Sequence, residues 1–299
     1  MFADRDVICF YGDSLTAAGL TMAEVFQTIR KKTNVKCYNC GISGATTGIG
    51  VKYLYSNCLI YNPEYVILSY GINDIGRSLR SKNTKLSPQE VEERISRLKR
   101  YYKENYEILI QAIKAFGAQP MLVTPAPYDE YNEHPSENLM VQDDLRDIIK
   151  ELYALGEKYS CPVLNTFDTL TELIKTRVIH VSDRIHLKNE GYHAVAQVIL
   201  REMGYVDACD FDSPFEMEEW NKERFEAERK ASRMTYVAFC VTNAGGKAEA
   251  SLDQKKAYVA SLLDKLEDKK GDMAQMYEYY LKYADFYEMW RSEALRLTE

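Results

Sequence analysis

Val7-Ile8-Cys9-Phe10-Tyr11-Gly12-Asp13-Ser14-Leu15-Thr16 is an apolar run that stops at a glycine, an aspartate and a serine. The run predicts a buried strand, and the residues behind it a sharp exit that glycine permits. A serine at that exit can present its hydroxyl in an accessible turn while its own N–H faces the same space. Ser14 or Thr16 is equally suited to cap the next helix, so the decapeptide alone leaves both roles open.

Working outward, the chain alternates short β-type runs with helical patterns up to about residue 205, as expected of a parallel sheet covered on both faces. The predicted strands are Val7–Tyr11, Val35–Asn39, Tyr65–Ser69, Met121–Thr124 and Val163–Asn165. Helical spacing covers Thr21–Lys32, Val51–Ile60, Pro88–Phe116, Leu139–Tyr159 and Gly191–Glu202. Ser87-Pro88 with Glu90 is a helix-start signal. Residues from separate strand ends then converge on one edge of the sheet, where sites in open α/β folds lie.

Polar loops follow successive strands: Asn39-Cys40-Gly41-Ile42-Ser43-Gly44 after the second and Gly71-Ile72-Asn73-Asp74 after the third. Near the end of the α/β pattern, Asp183-Arg184-Ile185-His186 places a carboxylate and an imidazole on one short segment. Ser14, His186 and Asp183 therefore offer a nucleophile, a base and a group to orient the base.

These four blocks, Gly12-Asp13-Ser14-Leu15, Gly44, Gly71-x-Asn73-Asp74 and Asp183-x-x-His186, resemble the SGNH hydrolases, the GDSL-type lipase and esterase superfamily, and occur in that family's order over about residues 6–203. The resemblance implies a flavodoxin-like three-layer α/β/α sandwich with a parallel sheet of about five strands. It implies ester hydrolysis through an acyl-serine with no metal and no other cofactor. Carried over residue by residue, the catalytic groups are Ser14, Asp183 and His186, and the oxyanion hole is built from Ser14 N–H, Gly44 N–H and the Asn73 amide. Asp13 and Asp74 are expected behind these groups, accepting loop N–H bonds. Arg77, His134 and His180 are expected at the substrate, with Arg80 a weaker candidate and His193 structural.

Composition narrows the partners. The chain has 299 residues, 46% hydrophobic and 28% charged, with net charge -7, which fits a folded protein and offers no basic groove for nucleic acid. No segment approaches about 18 unbroken apolar residues, and the N-terminus lacks a secretory pattern, so a cytoplasmic protein off the membrane is expected. The seven cysteines, at 9, 37, 40, 58, 161, 209 and 240, are odd in number and read as reduced core thiols, Cys37-x-x-Cys40 included.

The division expected is a hydrolase domain over 1–205 and a helical extension over 206–299, with helices near 215–239, 251–268 and 272–296. Tyr277, Tyr280, Tyr283, Tyr287 and Trp290 form an aromatic stripe at helical spacing, which must be covered by the core or by a second subunit, a homodimer being one solution.

The loops Gly76–Lys82 and Asp129–Asn138 are polar, which favours a short, acetyl-sized acyl group on a soluble, carbohydrate-like alcohol, as a small molecule or oligosaccharide. The alternatives are a lysophospholipase or broad short-chain carboxylesterase and, from another class, a non-catalytic scaffold or binding protein.

Overall fold

A computed structural model describes residues 2–229, 251–265, 274, 277, 278, 281, 282, 284 and 285. Five parallel strands, β1 (Val7–Gly12), β2 (Lys36–Asn39), β3 (Tyr65–Ser69), β4 (Gln119–Val123) and β5 (Val163–Leu164), form one sheet in the order β2-β1-β3-β4-β5. All six residues of β1 are buried, which accounts for its unbroken apolar run. The chain passes from β1 to β2 on one side and then back to β3 on the other. That reversal opens a crevice at the carboxyl ends of the strands.

Two-residue alternation sorts the strand side chains between two helical layers. Ile8 and Phe10 of β1, with Ile67, Met121, Val123 and Leu164, share a core with Phe26 and Ile29 of α2 (Leu20–Arg30) and Ile199 and Leu200 of α7 (Asn189–Glu202). On the opposite face the Tyr11 hydroxyl donates to the Gly50 carbonyl of α3 (Thr47–Asn57) at 2.7 Å. There too the Tyr106 hydroxyl of α4 (Pro88–Phe116) donates to the Leu68 carbonyl at 3.1 Å. The four-residue turn of helix α1 (Ser14–Ala17), α5 (Gln142–Tyr159) and α6 (Thr166–Ile174) complete the α/β unit.

Differences from the sequence reading have local causes. The strand predicted at Val163–Asn165 ends one residue early because the Asn165 side chain leaves the ladder and accepts the Asp168 N–H at 3.1 Å, starting the unpredicted α6. The helix expected from Leu139 starts at Gln142, after Met140 adopts a positive φ of 50°. The long α4 begins where expected, with Ser87 and Glu90 capping each other reciprocally and Pro88 in the first turn.

The chain divides into two compact units, Met1–Phe225 and Glu226–Glu299. Residues beyond 205 stay with the first unit: Glu218 N–H donates to Gln27 Oε1 at 2.9 Å, and the buried Asn221 amide donates to the Ala23 carbonyl at 2.9 Å. Helical residues run through 219–229, and the second unit contains α8 (Leu252–Lys265). Tyr277 is buried, while Tyr280, Tyr283, Tyr287 and Trp290 lie outside the described residues, as does most of the helix expected at 272–296. Among the described residues, no helix is long and apolar enough to cross a membrane.

Candidate active site

The turn after β1 is shaped by close backbone approach. A Cβ on Gly12 would lie 2.4 Å from the Ser69 carbonyl oxygen of β3 and 2.2 Å from Thr16 Oγ1, so only glycine fits there. The buried Asp13 caps α1 by accepting the Leu15 N–H at 2.9 Å, which places Ser14 at the first position of that helical turn. The cap expected at Ser14 or Thr16 therefore falls to Asp13, and the Ser14 hydroxyl is left for another partner.

That partner is His186. Its Nε2 lies 2.9 Å from Ser14 Oγ, and its Nδ1 lies 2.5 Å from Asp183 Oδ2. The second Asp183 oxygen accepts the backbone N–H groups of Ile185 at 3.0 Å and His186 at 2.9 Å. Burial pushes the Asp183 carboxyl up, but the imidazole bond and the two N–H groups outweigh it, so its pKa falls below the ordinary carboxylate value. An ionised Asp183 takes the Nδ1 hydrogen of His186 and leaves Nε2 to accept from the serine hydroxyl. The ends of this turn are tied by the Val181 N–H to the His186 carbonyl at 2.8 Å and the Lys188 N–H to the Ile179 carbonyl at 2.8 Å.

The loops after β2 and β3 supply donors. Gly44 has φ 72°, the left-handed region glycine favours, and its N–H has no acceptor among the described residues. Asn73 is half-buried, with Nδ2 donating to the Ala45 carbonyl at 3.1 Å and Oδ1 accepting from Arg77 Nη1 at 2.9 Å. Behind them, Asp74 Oδ1 accepts from the Thr47 N–H at 2.8 Å and its hydroxyl at 2.6 Å, joining the third loop to the start of α3.

Both buried aspartates are shifted. Desolvation pushes Asp13 up to about 6 against the opposing pull of the Leu15 N–H and the charges of His186 and Arg77. Asp74 is pushed up to about 7 by desolvation and by the Asp13 charge, with the Thr47 bonds acting the other way.

A hydroxyl, an imidazole and an ionised carboxylate in line, with amide donors on neighbouring loops, form the arrangement that serine hydrolases use. Residues 8–199 match the sequence profile of the GDSL-like Lipase/Acylhydrolase family. The chain belongs to that family. The esterase finds no match among curated protein sequences. Among solved structures it is similar to an acetyl xylan esterase from Geobacillus stearothermophilus, at 20% identity and TM-score 0.57, over 68% of this chain and 97% of that one. A variant described as an acetyl-xylooligosaccharide esterase from the same organism gives 19% and 0.57, over 70% and 98%. A gut microbial diltiazem-metabolizing enzyme gives 13% and 0.72, over 100% and 95%. At these identities the likeness is one of fold.

The three residues expected at the substrate, Arg77, His134 and His180, each have protein partners in the structure of the esterase. The His134 side chain is 5% exposed with Nε2 on Asp129 Oδ2 at 2.7 Å, and the His180 side chain is wholly buried with Nε2 donating to the Pro127 carbonyl at 3.0 Å. Desolvation pulls His180 down to about 4, so a neutral ring sits in the wall of the site. Arg77 turns its guanidinium onto the Ile72 carbonyl, at 3.1 Å, and onto Asn73. Arg80 is likewise engaged, with Nε on Asp144 Oδ2 at 2.9 Å and Nη1 on Glu92. His193 Nδ1 lies 2.8 Å from Glu24 Oε2.

Two residues escaped sequence reasoning. Thr47 had no signal beyond its position at a helix start. Arg184 stands inside the Asp-x-x-His block with φ 66° and is 6% exposed. Its place between the two reacting residues was visible, but nothing local indicated that its side chain turns inward.

The Sγ atoms of the buried Cys9, Cys40 and Cys58 lie within 4.8 Å of one another. Desolvation raises the Cys9 and Cys58 thiols well above their ordinary value, and Cys9 Sγ–H points to the Cys58 carbonyl at 3.7 Å. The trio lies in the buried core.

Proposed function

We propose that the esterase removes short, acetyl-sized acyl groups from a soluble, carbohydrate-like alcohol through an acyl-Ser14 intermediate. The observation that carries the mechanism is the bonded line from Ser14 Oγ through both nitrogens of His186 to Asp183 Oδ2. As Ser14 Oγ attacks the ester carbonyl, its proton passes to His186 Nε2, and Asp183 stabilises the imidazolium. The carbonyl oxygen becomes an oxyanion held by the N–H groups of Ser14 and Gly44 and by the Asn73 amide. Collapse expels the alcohol, which takes the proton from His186. Water then gives a proton to the same nitrogen as its oxygen attacks the acyl-serine, and collapse of the second tetrahedral intermediate releases the acid while Ser14 Oγ takes the proton back from His186.

Two features support the substrate class. The loop from Tyr128 to Asn138 is polar and is tied by Arg184 to the catalytic turn, so the border of the site is built of hydrogen-bonding groups. The similar acetyl xylan esterase has catalytic mutants at one serine, one aspartate and one histidine, the last two three positions apart, as Asp183 and His186 are here.

The test is a comparison of acetylated xylo-oligosaccharides with p-nitrophenyl esters of increasing chain length, in wild type and Ser14→Ala. The proposal expects kcat/KM to be highest for acetyl and to fall with each added pair of carbons, and expects Ser14→Ala to lose roughly 10³-fold or more. A rate that rises with chain length overturns the acyl assignment. Retention of more than about a tenth of kcat/KM in Ser14→Ala removes the nucleophile.

A further inference from the structure

Arg77 stands on the turn that follows the Gly71-Ile72-Asn73-Asp74 loop, immediately after Gly76 in the left-handed region at φ 63°. That turn folds its guanidinium back over its own loop, where Nη1 donates to the Ile72 carbonyl at 3.1 Å and to Asn73 Oδ1 at 2.9 Å. On the far side of the same amide, Asn73 Nδ2 donates to the Ala45 carbonyl at 3.1 Å.

An asparagine amide has two orientations of nearly equal shape, with a carbonyl at one end and an NH2 at the other. For Asn73 the two neighbours choose between them. Flipping the amide would set NH2 against the Arg77 guanidinium, donor to donor, and the amide oxygen against the Ala45 carbonyl, acceptor to acceptor. In the observed orientation both ends are satisfied, and Nδ2 keeps a second hydrogen that the Ala45 bond does not use. A charged donor makes the stronger of the two anchors.

We infer that Arg77 is a positioning residue for the oxyanion hole: it fixes the rotamer and flip state of Asn73 so that the second amide hydrogen is presented to the developing oxyanion. The inference rests on the ester-hydrolysis reading above and adds the group that keeps one of its donors in place. Pre-orientation matters because a donor that must rotate during the reaction loses most of its advantage in the transition state. Arg77 also lies close enough to Asp13 for its charge to pull that carboxyl down, which links it to the cap beneath Ser14. It touches no reacting atom in this account. Anion recognition, the role a surface arginine suggests, is not needed to explain where its donors point.

The experiment is a double-mutant cycle on hydrolysis of p-nitrophenyl acetate, which carries no charge for Arg77 to recognise. Arg77→Leu and Arg77→Lys are measured in the wild-type and Asn73→Ala backgrounds, with thermal unfolding of each. Arg77→Leu is expected to lower kcat by ~10- to 100-fold, part of what the loss of one oxyanion donor costs, with KM changed by less than about twofold. In the Asn73→Ala background the same change should alter kcat by less than about twofold, because there is no amide left to orient. Arg77→Lys, a single flexible donor in place of a fork, should recover part of the loss. Losses that multiply independently in the double mutant overturn the inference, as does an effect confined to KM. If Arg77→Leu unfolds, the Arg77→Lys pair decides by the same criterion. Failure of the ester-hydrolysis reading is separately visible: Ser14→Ala would then hydrolyse the ester at the wild-type rate.

Discussion

Arg184 holds the backbone of Asp129 at both ends: Arg184 Nη1 donates to the Asp129 carbonyl at 2.8 Å, and the Asp129 N–H donates to the Arg184 carbonyl at 3.0 Å. The same guanidinium reaches the carbonyls of Asn132 at 2.8 Å and Ser136 at 3.1 Å. The loop after β4 is thereby fastened to the residue between Asp183 and His186, so the wall of the site and its catalytic turn move as one piece.

Replacing Arg184 by methionine keeps the buried stem and removes all three bonds. Each buried carbonyl left without a donor costs on the order of 1 kcal/mol or more, so a clear fall in melting temperature is expected. Because the turn also loses its anchor, kcat should fall by more than KM rises. Unchanged unfolding in calorimetry would show that water replaces the guanidinium without loss.

Asn73→Ala should lower kcat by about 10²- to 10³-fold, the range found when an oxyanion-hole amide is removed, with little change in KM. Steady-state kinetics on an acetyl ester decide the point. A mutant altered only in KM would make Asn73 a ground-state contact.

The Asp74 carboxyl, at about 7 in the fold against an ordinary 3.8, gives stability an acid-side preference. Between those values the folded chain holds a proton that the unfolded chain has lost. This contribution is complete below the unfolded value and is lost as pH rises through the folded one. Asp13, raised to about 6, acts in the same direction. Asp74→Asn retains an acceptor for Thr47 and removes the ionisation. Its melting temperature should therefore decline less than that of wild type between about pH 5 and about pH 8. Parallel declines in the two proteins would show that Asp74 stays charged throughout.

Gly12→Ala should be strongly disruptive. The added carbon meets the Ser69 carbonyl at 2.4 Å, within the β1–β3 ladder, and neither strand can withdraw without breaking its pairing. A loss of soluble expression, or a lowered melting temperature with activity reduced in step, is the expected result. A variant of wild-type stability would mean that Thr16 and the strand yield more easily than the packing suggests.

The fold and most of the site were legible in the sequence because each rests on local rules. Buried parallel strands carry unbroken apolar runs, as Val7–Tyr11 does. A helix that starts at Ser87-Pro88 with Glu90 carries its own cap. The residues of the proposed mechanism, Ser14, Asn73, Asp183 and His186, lie at strand ends or in one tight turn, where residue type and spacing already express their chemistry.

What the sequence left open depends on contacts between distant segments. Arg77, His134 and His180 are polar residues in loops, and residue type alone gave no reason to turn them away from substrate. The tertiary structure gives each a partner, the half-buried Asn73 amide, the buried Asp129 carboxylate and the Pro127 carbonyl, and a polar group inside the protein goes where its hydrogen bond is. The inward course of Arg184 has the same origin: three carbonyls of one loop converge on a point that exists only after that loop has folded over the catalytic turn. Local pattern thus determined the scaffold and which groups are offered for the proposed reaction, while long-range hydrogen bonding determined which groups hold them in place.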